Sequence, residues 1–299
     1  FNWEKISDNL PQNLWVSQVY PSKFNEGTVY VSLNGYRYDN FNAYVYMSKD
    51  YGKTWTKLGN NLPAEPVNVI KEDLENKNIL YVGTDNGLYV SLNQGQTFER
   101  FGKSLPAVAV HDLVIHPREK DIIVATHGRS LYKASLKELQ LVTDSVLNKP
   151  LSLFELESVN YSTSWGRRMF SGEFFEPTFK IPYFTNKKGT AVITISSQNG
   201  TILQTIIDNA EKGLNYATYT FAFDQKKAVD LQKELKVSAI NTAESGQTYL
   251  PAGKYKVTLQ IGSYTATQML NLVVNTRGQR SFEPEPKSVP DEKKVKAKK

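Results

Sequence analysis

The sequence predicts an all-β protein in which an incomplete β-propeller is followed by a β-sandwich. Two eight-residue segments of the same form, residues 48–55 and 91–98, indicate a repeated unit. A Leu-Pro pair recurs at residues 10, 62 and 105, so the repeats are spaced by 52 and then 43 residues. A period of this size is typical of a four-stranded propeller blade.

Each octet combines turn-forming residues with a closing aromatic side chain. The Asp or Asn at its third position can accept backbone N–H groups across a bend, and the Gly at its fifth position allows a positive φ angle. Because every polar group has a role in the turn, we interpret the octet as a structural clip between two blade strands. These positions are Ser48, Asp50, Gly52, Thr54 and Trp55 in the first octet, and Ser91, Asn93, Gly95, Thr97 and Phe98 in the second.

A third unit lies at residues 110–132 and lacks the octet. Its two strand-like segments match those at residues 67–84 and 16–32, so we predict about three blades over residues 1–136. About three blades do not close a ring, since propellers usually need about four to eight or more. The sequence also enters in mid-repeat. We expect further blades upstream of this chain or from another chain.

The octets resemble the Asp-box of the BNR-repeat family, which includes sialidases, sortilin-type propellers and exported bacterial β-propellers. The run at residues 123–131 is similar to the end of the last blade in sortilin-like bacterial propellers that carry a glycosyl hydrolase label. The resemblance covers roughly residues 1–135. It implies an exported bacterial protein located in the periplasm or at the cell surface.

The segment at residues 137–188 differs from the repeats in being rich in aromatic residues. Its large apolar side chains would be costly to leave in water, so we predict a linker that packs against the neighbouring domains. Trp165 and Arg167 allow two interpretations, a cation–π or ligand shelf and an aromatic anchor for domain docking, of which we favour the anchor. The aromatic cluster consists of Phe170, Phe174, Phe175 and Phe179.

A second β domain is predicted for residues 189–276, where five or more short alternating strands occur. An Asn-Gly pair at Asn199 indicates a hairpin turn, and residues 224–235 form the one segment with a helical pattern. The late segment from Leu250 resembles the immunoglobulin-like module of flagellar-hook-assembly and secreted bacterial proteins. That resemblance implies an immunoglobulin-like β-sandwich that acts as a docking spacer.

Composition excludes several classes of function. The chain has 299 residues and no cysteine, so it holds no disulfide and no thiolate metal site. No apolar run reaches the length of a membrane span. The net charge of +6 is concentrated toward the C-terminus, where residues 277–299 are predicted to be a disordered basic tail. No aromatic residues interrupt the basic run, so nucleic-acid binding is not expected.

The candidate binding residues lie in the last two blades. His127 and Arg129 are predicted to share a strand face toward the channel, whereas His116 resembles a structural turn position. The three histidines show no metal-ligand spacing, and we expect no cofactor beyond weak structural Ca²⁺ at the turn after residue 84. The nominated binding residues are Asp85, His111, Asp112, His127 and Arg129.

No catalytic residues are nominated. A sialidase needs an arginine triad with a Tyr nucleophile and its carboxylate partners, and the blades hold too few suitably placed arginines. Motifs for a nucleophile elbow, a phosphate loop and a zinc protease are absent from the sequence. We expect a non-catalytic binding protein whose propeller face takes a protein, peptide or glycan ligand. The alternatives are a glycoside hydrolase with its catalytic residues in other blades, and a structural subunit of an envelope assembly.

Overall fold

The computed structural model describes residues 2–102 and 105–274, and its architecture is all-β. The first half forms three successive antiparallel sheets, named blades 1 to 3, in which the strands follow one another in chain order. Blade 1 contains β1 (Trp15–Pro21), β2 (Val29–Gly35), β3 (Asn40–Ser48) and β4 (Thr56–Lys57). Blade 2 contains β5 (Val67–Glu72), β6 (Leu80–Thr84), β7 (Gly87–Ser91) and β8 (Glu99–Arg100). Within the described residues, blade 3 contains β9 (Val110–His116), β10 (Asp121–Thr126) and β11 (Leu131–Ser135).

The blades pack face to face through apolar side chains. Val45 and Tyr30 of blade 1 lie in one buried cluster with Val67 and Ile70 of blade 2. A second cluster joins blades 2 and 3 and includes Val69, Tyr81, Val110, Leu113 and Val124. The first strands β1, β5 and β9 are neighbours in this stack. They are therefore the innermost strands, as expected for a propeller-type array.

Each inner strand bulges at the same step, which aligns the three blades residue by residue. Ser17, Asn68 and His111 are the extra residues, each skipped in the pairing with the second strand. A bulge re-aims its side chain relative to the regular pleat. Three further positions follow from the strand pairing: Val16, Val67 and Val110; Val19, Ile70 and Leu113; Asn34, Asp85 and His127.

The two octets form closed turns between the third and fourth strands of blades 1 and 2. Ser48 Oγ donates to Asp50 Oδ1 at 2.7 Å and accepts from the Gly52 backbone N at 2.8 Å. Thr54 donates to the same carboxylate through its backbone N, at 2.9 Å, and through Oγ1, at 2.7 Å. The second octet has the equivalent contacts with an amide in place of the carboxylate, except that Asn93 Nδ2 donates to Thr97 Oγ1 at 2.9 Å. The polar groups are thus used within the turn.

The octet glycines also pack against the preceding repeat. A Cβ atom at Gly95, where φ is +81°, would lie 2.7 Å from Leu58 Cδ1. A Cβ atom at Gly52, where φ is +89°, would lie 2.6 Å from Ile6 Cδ1. Both the backbone angle and the close approach require glycine.

The chain after blade 3 returns to blade 2. Two short helices, α1 (Lys137–Gln140) and α2 (Asp144–Leu147), lie in this segment. Gln140 Nε2 donates to both oxygens of the buried Asp73 carboxylate at 3.2 and 3.1 Å. Asn76 Nδ2 donates to the Val142 carbonyl at 3.0 Å. These contacts fix the start of the second half against the turn that follows β5.

The second half contains two sheets whose strands are mostly antiparallel, and the two sheets share one hydrophobic core. The smaller sheet has the order β12 (Leu151–Leu153), β14 (Phe179–Thr185) and β17 (Gly213–Tyr219). The larger has the order β13 (Val159–Tyr161), β21 (Tyr264–Val274), β20 (Gly253–Ile261), β15 (Gly189–Ser196) and β16 (Ile202–Ala210). A two-stranded sheet, β18 (Ala222–Phe223) with β19 (Thr248–Tyr249), and the helix α3 (Ala228–Leu235) complete this half.

The structure differs from the predicted linker at residues 137–188. Three strands, β12, β13 and β14, lie within that segment and pair in the two sheets of the second half. The first two strands have three residues each, too short for an alternating pattern, and Pro182 interrupts the pattern of the third. Trp165 is buried and stacks on Phe221 at 4.9 Å, so it belongs to the hydrophobic core that the two sheets share.

Two other expectations have a simple outcome. The helical segment predicted at residues 224–235 is a 3₁₀ turn (Gln225–Lys227) followed by α3. The predicted basic tail at residues 277–299 lies outside the described residues. Among residues 2–102 and 105–274, helices long and apolar enough to cross a membrane are absent.

Candidate ligand-binding site

Polar side chains occupy the same two positions in each blade, where the inner strand meets the end of the second strand. One position is the bulge, held by Ser17, Asn68 and His111. The other lies at the end of the second strand, within β2 for Asn34 and directly after β6 and β10 for Asp85 and His127. Because the blades pack face to face in chain order, these positions form a line across the three blades. We call Asn34, Asn68, Asp85, His111 and His127 the polar row.

Hydrogen bonds connect the first part of the polar row across the boundary between blades 1 and 2. Asn34 Nδ2 donates to Asn68 Oδ1 at 2.9 Å, and Asn68 Nδ2 donates to Asp85 Oδ1 at 2.8 Å. All three side chains are partly exposed. They therefore have hydrogen-bonding capacity that faces solvent.

The polar row continues into blade 3 with two imidazoles. The rings of His111 and His127 lie 5.0 Å apart, with an angle of 31° between their planes, and both residues are exposed. Asp85 has the same relationship to His111 in the repeat as Asn34 has to Asn68. Asp85 and His111 therefore hold, at the boundary between blades 2 and 3, the positions that Asn34 and Asn68 hold at the boundary between blades 1 and 2.

A second polar group lies further along the inner strands. Lys71 Nζ lies 5.5 Å from the Tyr20 ring and 3.8 Å from Asp112 Oδ1. The three residues come from three successive inner strands, β1, β5 and β9. Because the Asp112 side chain is more than half exposed, the ion pair is weak. Because its carboxylate contacts Lys71, Asp112 is assigned to this group and not to the polar row.

The prediction for Arg129 needs correction. His127 and Arg129 do not share a strand face, because β10 ends at Thr126 and both residues lie in the turn before β11. Gly128 and Ser130 have positive φ angles of 73° and 91°, which curls this turn. His127 remains beside His111, while Arg129 is an exposed turn residue.

His116 has a structural contact of its own. Its Nδ1 atom accepts the Glu119 backbone N–H at 3.2 Å. The equivalent turns are closed by Ser22 Oγ, which accepts from the Phe24 N, and by Asp73 Oδ1, which accepts from the Glu75 N. A hydroxyl, a carboxylate and an imidazole thus perform the same task at the end of the inner strand opposite the polar row.

Exposed aromatic side chains border the polar row on blade 1. Tyr36 contacts Phe41 edge to face at 6.0 Å, and the Arg37 guanidinium lies 4.2 Å from the Trp15 ring. The Tyr36 backbone N donates to Asn34 Oδ1 at 2.9 Å, which joins this rim directly to the polar row. We call Trp15, Tyr36, Arg37 and Phe41 the aromatic rim.

Asn34 and Asn68 were not nominated from the sequence. Asn68 is the bulge residue of blade 2, and Asn34 is the blade 1 equivalent of Asp85. The sequence match of residues 16–19, 67–70 and 110–113 already places Ser17, Asn68 and His111 at one repeat position. A bulge has no reliable signal in a single strand, so the sequence does not show that the side chain at this position lies beside Asn34 or its equivalents.

The chemistry available in the polar row is recognition by amide, imidazole and carboxylate groups. The row itself contains one carboxylate, Asp85, whereas hydrolysis of a glycosidic bond generally uses two. In the described part of the chain, groups of three or more His, Asp or Glu side chains placed to hold a metal ion are absent.

One family model matches the chain in part. It is described as Sortilin-Vps10 (sortilin, neurotensin receptor 3) and covers residues 43–168, less than half of the chain. The chain is thus similar to this propeller-type family from β3 to the start of the sandwich. No curated protein matches the chain significantly.

Several solved structures are similar over most of the chain. They include an extracellular domain of a hybrid two-component system from B. thetaiotaomicron (10% identity, TM-score 0.29, 88% of this chain and 31% of that chain). A GH74 xyloglucanase from Xanthomonas campestris follows (12% identity, TM-score 0.32, 86% of this chain and 47% of that chain). Drosophila Semaphorin 2a is also similar (11% identity, TM-score 0.27, 87% of this chain and 54% of that chain). The chain therefore spans about a third to a half of the length of these structures. Because the TM-scores are low, we infer nothing about its function from them.

Proposed function

We propose that the chain is part of a non-catalytic exported binding protein whose ligand contacts the polar row and the aromatic rim. The second half would act as an immunoglobulin-like docking spacer. The site of action would be the periplasm or the cell surface. The proposal rests on one observation: two equivalent repeat positions hold amide, carboxylate and imidazole side chains in successive blades.

The variation among blades supports a recognition role for the polar row. Here Asn68 and His111 occupy the same bulge, and Asn34, Asp85 and His127 occupy the other position. The blades fold with each of these residues, so their differences are available for ligand specificity.

The ligand that fits best is a protein or peptide segment. Amide and carboxylate groups can bind a peptide backbone through its N–H and C=O groups, and the exposed aromatic rim offers apolar contact beside them. The matched family model is described as a receptor, which favours binding over catalysis. A glycan, which also presents hydroxyls and apolar ring faces, is the second ligand class.

A glycoside hydrolase is the alternative function. It would need two carboxylates about 5–10 Å apart on the face that binds the sugar. Asp112 belongs to the group around Lys71, and Asp85 is already bonded to Asn68. The second alternative, a structural subunit of an envelope assembly, is favoured by an uncovered face on blade 1.

The test is binding of the full chain to an array of random linear peptides and to a glycan array. We expect peptide signals that fall about tenfold or more in Asn68→Ala and His111→Ala. His116→Gln, which alters a histidine outside the polar row, serves as the matched control and should bind as the parent does. Absence of signal on both arrays, or equal loss in the control, would contradict the proposal. Signal on the glycan array alone would replace the peptide by a sugar.

A further inference from the structure

The face of blade 1 that points away from blade 2 is uncovered, although its equivalents in the other blades are buried. Val16 and Val19 are 56% and 53% exposed. Val67 and Ile70 hold the same positions in blade 2, and both have an exposure of 0%. Val110 and Leu113 hold them in blade 3 and are equally buried. In blades 2 and 3 the cover is the preceding blade.

A short segment before blade 1 has the sequence and the contacts of an outer strand. Trp3-Glu-Lys-Ile at residues 3–6 matches Trp55-Thr-Lys-Leu, which contains β4, and Phe98-Glu-Arg-Phe, which contains β8. Within the described residues, residues 3–6 are paired with no strand. Trp3 is 100% exposed, whereas its equivalent Phe98 is 3% exposed.

Residues 3–6 nevertheless lie where an outer strand would lie. Ile6 approaches Gly52 as Leu58 approaches Gly95, at 2.6 and 2.7 Å from the ideal Cβ positions. Trp55 Nε1 also donates to the Ile6 carbonyl at 2.8 Å. Residues 3–6 thus occupy the place of a fourth strand beside blade 1, and they pair with no sheet among the described residues.

We propose that this face of blade 1 is the docking surface for a three-stranded antiparallel sheet of the same repeat, which residues 3–6 complete as a four-stranded blade. The sheet would cover Val16 and Val19 with an apolar face like that formed by Tyr30 and Val45 of blade 1. Its free edge would pair with residues 3–6. The surface is continuous with the interfaces already seen between the blades, and the proposal is independent of the ligand site.

The test supplies such a sheet from the chain's own repeats. One extended chain carries a second copy of residues 10–54 joined directly to Trp3, so that the octet runs into residues 3–6 as it does into residues 55–58. A second extended chain carries residues 62–97 at the same junction. The chain has no cysteine, so a single Val19→Cys variant reports the accessibility of the face through its rate of labelling by a soluble thiol reagent. Val229→Cys, at a 60% exposed position on α3, is the matched control.

We expect Val19→Cys to react readily in the unextended chain and at least about tenfold more slowly in one or both extended chains. Val229→Cys should react at one rate in all three. Unchanged labelling of Val19→Cys in both extended chains would overturn the proposal. It would also be overturned if Val19→Cys were already protected in an unextended chain that sediments as a dimer, since a second copy would then be the occupant.

Discussion

Leu58 lies over Gly95, with its Cδ1 atom 2.7 Å from the position that a Cβ atom on the glycine would take. The same relationship links Ile6 to Gly52 one repeat earlier. Each of the two octet turns therefore packs against the preceding repeat, on the residue directly after β4 or on its equivalent Ile6. This contact, as much as the hydrogen bonds within the turn, explains why glycine is needed there.

We predict that Gly95→Ala destabilises the chain by about 2–4 kcal/mol. The substitution places a side chain in the left-handed region, at a φ of +81°, and forces overlap with Leu58 and Leu80. Gly200→Ala is the control, because φ is +94° there but open space surrounds the position. It should cost only about 1–2 kcal/mol. Equal losses for the two variants in urea unfolding would show that the contact with Leu58 is unimportant.

The Asp50 carboxylate should make the first octet sensitive to acid. Hydrogen bonds from Thr54, followed by that from Ser48, lower the pKa of Asp50 to about 2. Because the folded-state pKa lies below the usual value of 3.8, the contribution to stability is present above pH 4 and is lost as the pH falls toward 2.

The residue at the third octet position tests this dependence in both directions. Asp50→Asn, which copies the second octet, should remove part of the loss of stability between about pH 4 and 2. Asn93→Asp should increase that loss. Unfolding free energies measured across this range check both variants, and a carbon NMR titration of the Asp50 carboxyl checks its pKa. A midpoint for Asp50 near 4 would contradict the hydrogen-bond arrangement.

Asp73 should be important for joining the two halves of the chain. Its buried carboxylate accepts from Tyr81 Oη at 2.8 Å, from the Glu75 backbone N at 2.7 Å and from Gln140 Nε2. Burial and this charge raise the pKa of Tyr81, which therefore remains a donor. Asp73→Ala leaves several buried groups unpaired and should cost about 3–5 kcal/mol.

Asp73→Ser is the matched variant, because Ser22 closes the equivalent turn of blade 1. It should restore the bond to the Glu75 backbone but not the bond to Gln140. We therefore expect a smaller loss in chemical unfolding, together with faster proteolysis near α1. If serine were as costly as alanine, the turn bond would contribute little.

Trp165 tests whether the aromatic-rich segment belongs to the sandwich. Trp165→Ala removes a buried ring stacked on Phe221 and should cost about 3–5 kcal/mol. Phe170→Ala, in the same segment but with an exposed ring, should change stability by less than about 0.5 kcal/mol. Thermal unfolding of the two variants measures the difference. A small effect at Trp165 would indicate a linker that packs only loosely.

The repeats made much of the first half predictable. The octets and Leu-Pro pairs place the blades because turn chemistry is local and is read directly from Gly95 and its neighbours. The strands β12 and β13 were missed because three residues cannot show a period of two. Their conformation is set by pairing with β14 and β21, which lie far along the chain.

The candidate site was only partly predictable for a related reason. His111, His127 and Asp85 were nominated from residue type and position in the repeat. The proximity of Asn34 to Asn68 could not be predicted, since a bulge is fixed by cross-strand pairing. Arg129 was predicted to share a strand face with His127, but β10 ends at Thr126 and Gly128 lies in the turn that follows it.

The polar row, as we propose, binds a ligand without altering it. The most direct measurement is a calorimetric titration of the strongest peptide from the array into the parent chain, His111→Ala and His116→Gln, followed by mass spectrometry of the recovered peptide. We predict an unchanged mass, an affinity that falls about tenfold or more in His111→Ala, and the parent affinity in His116→Gln. A shortened peptide, or the same affinity in all three chains, would contradict the claim.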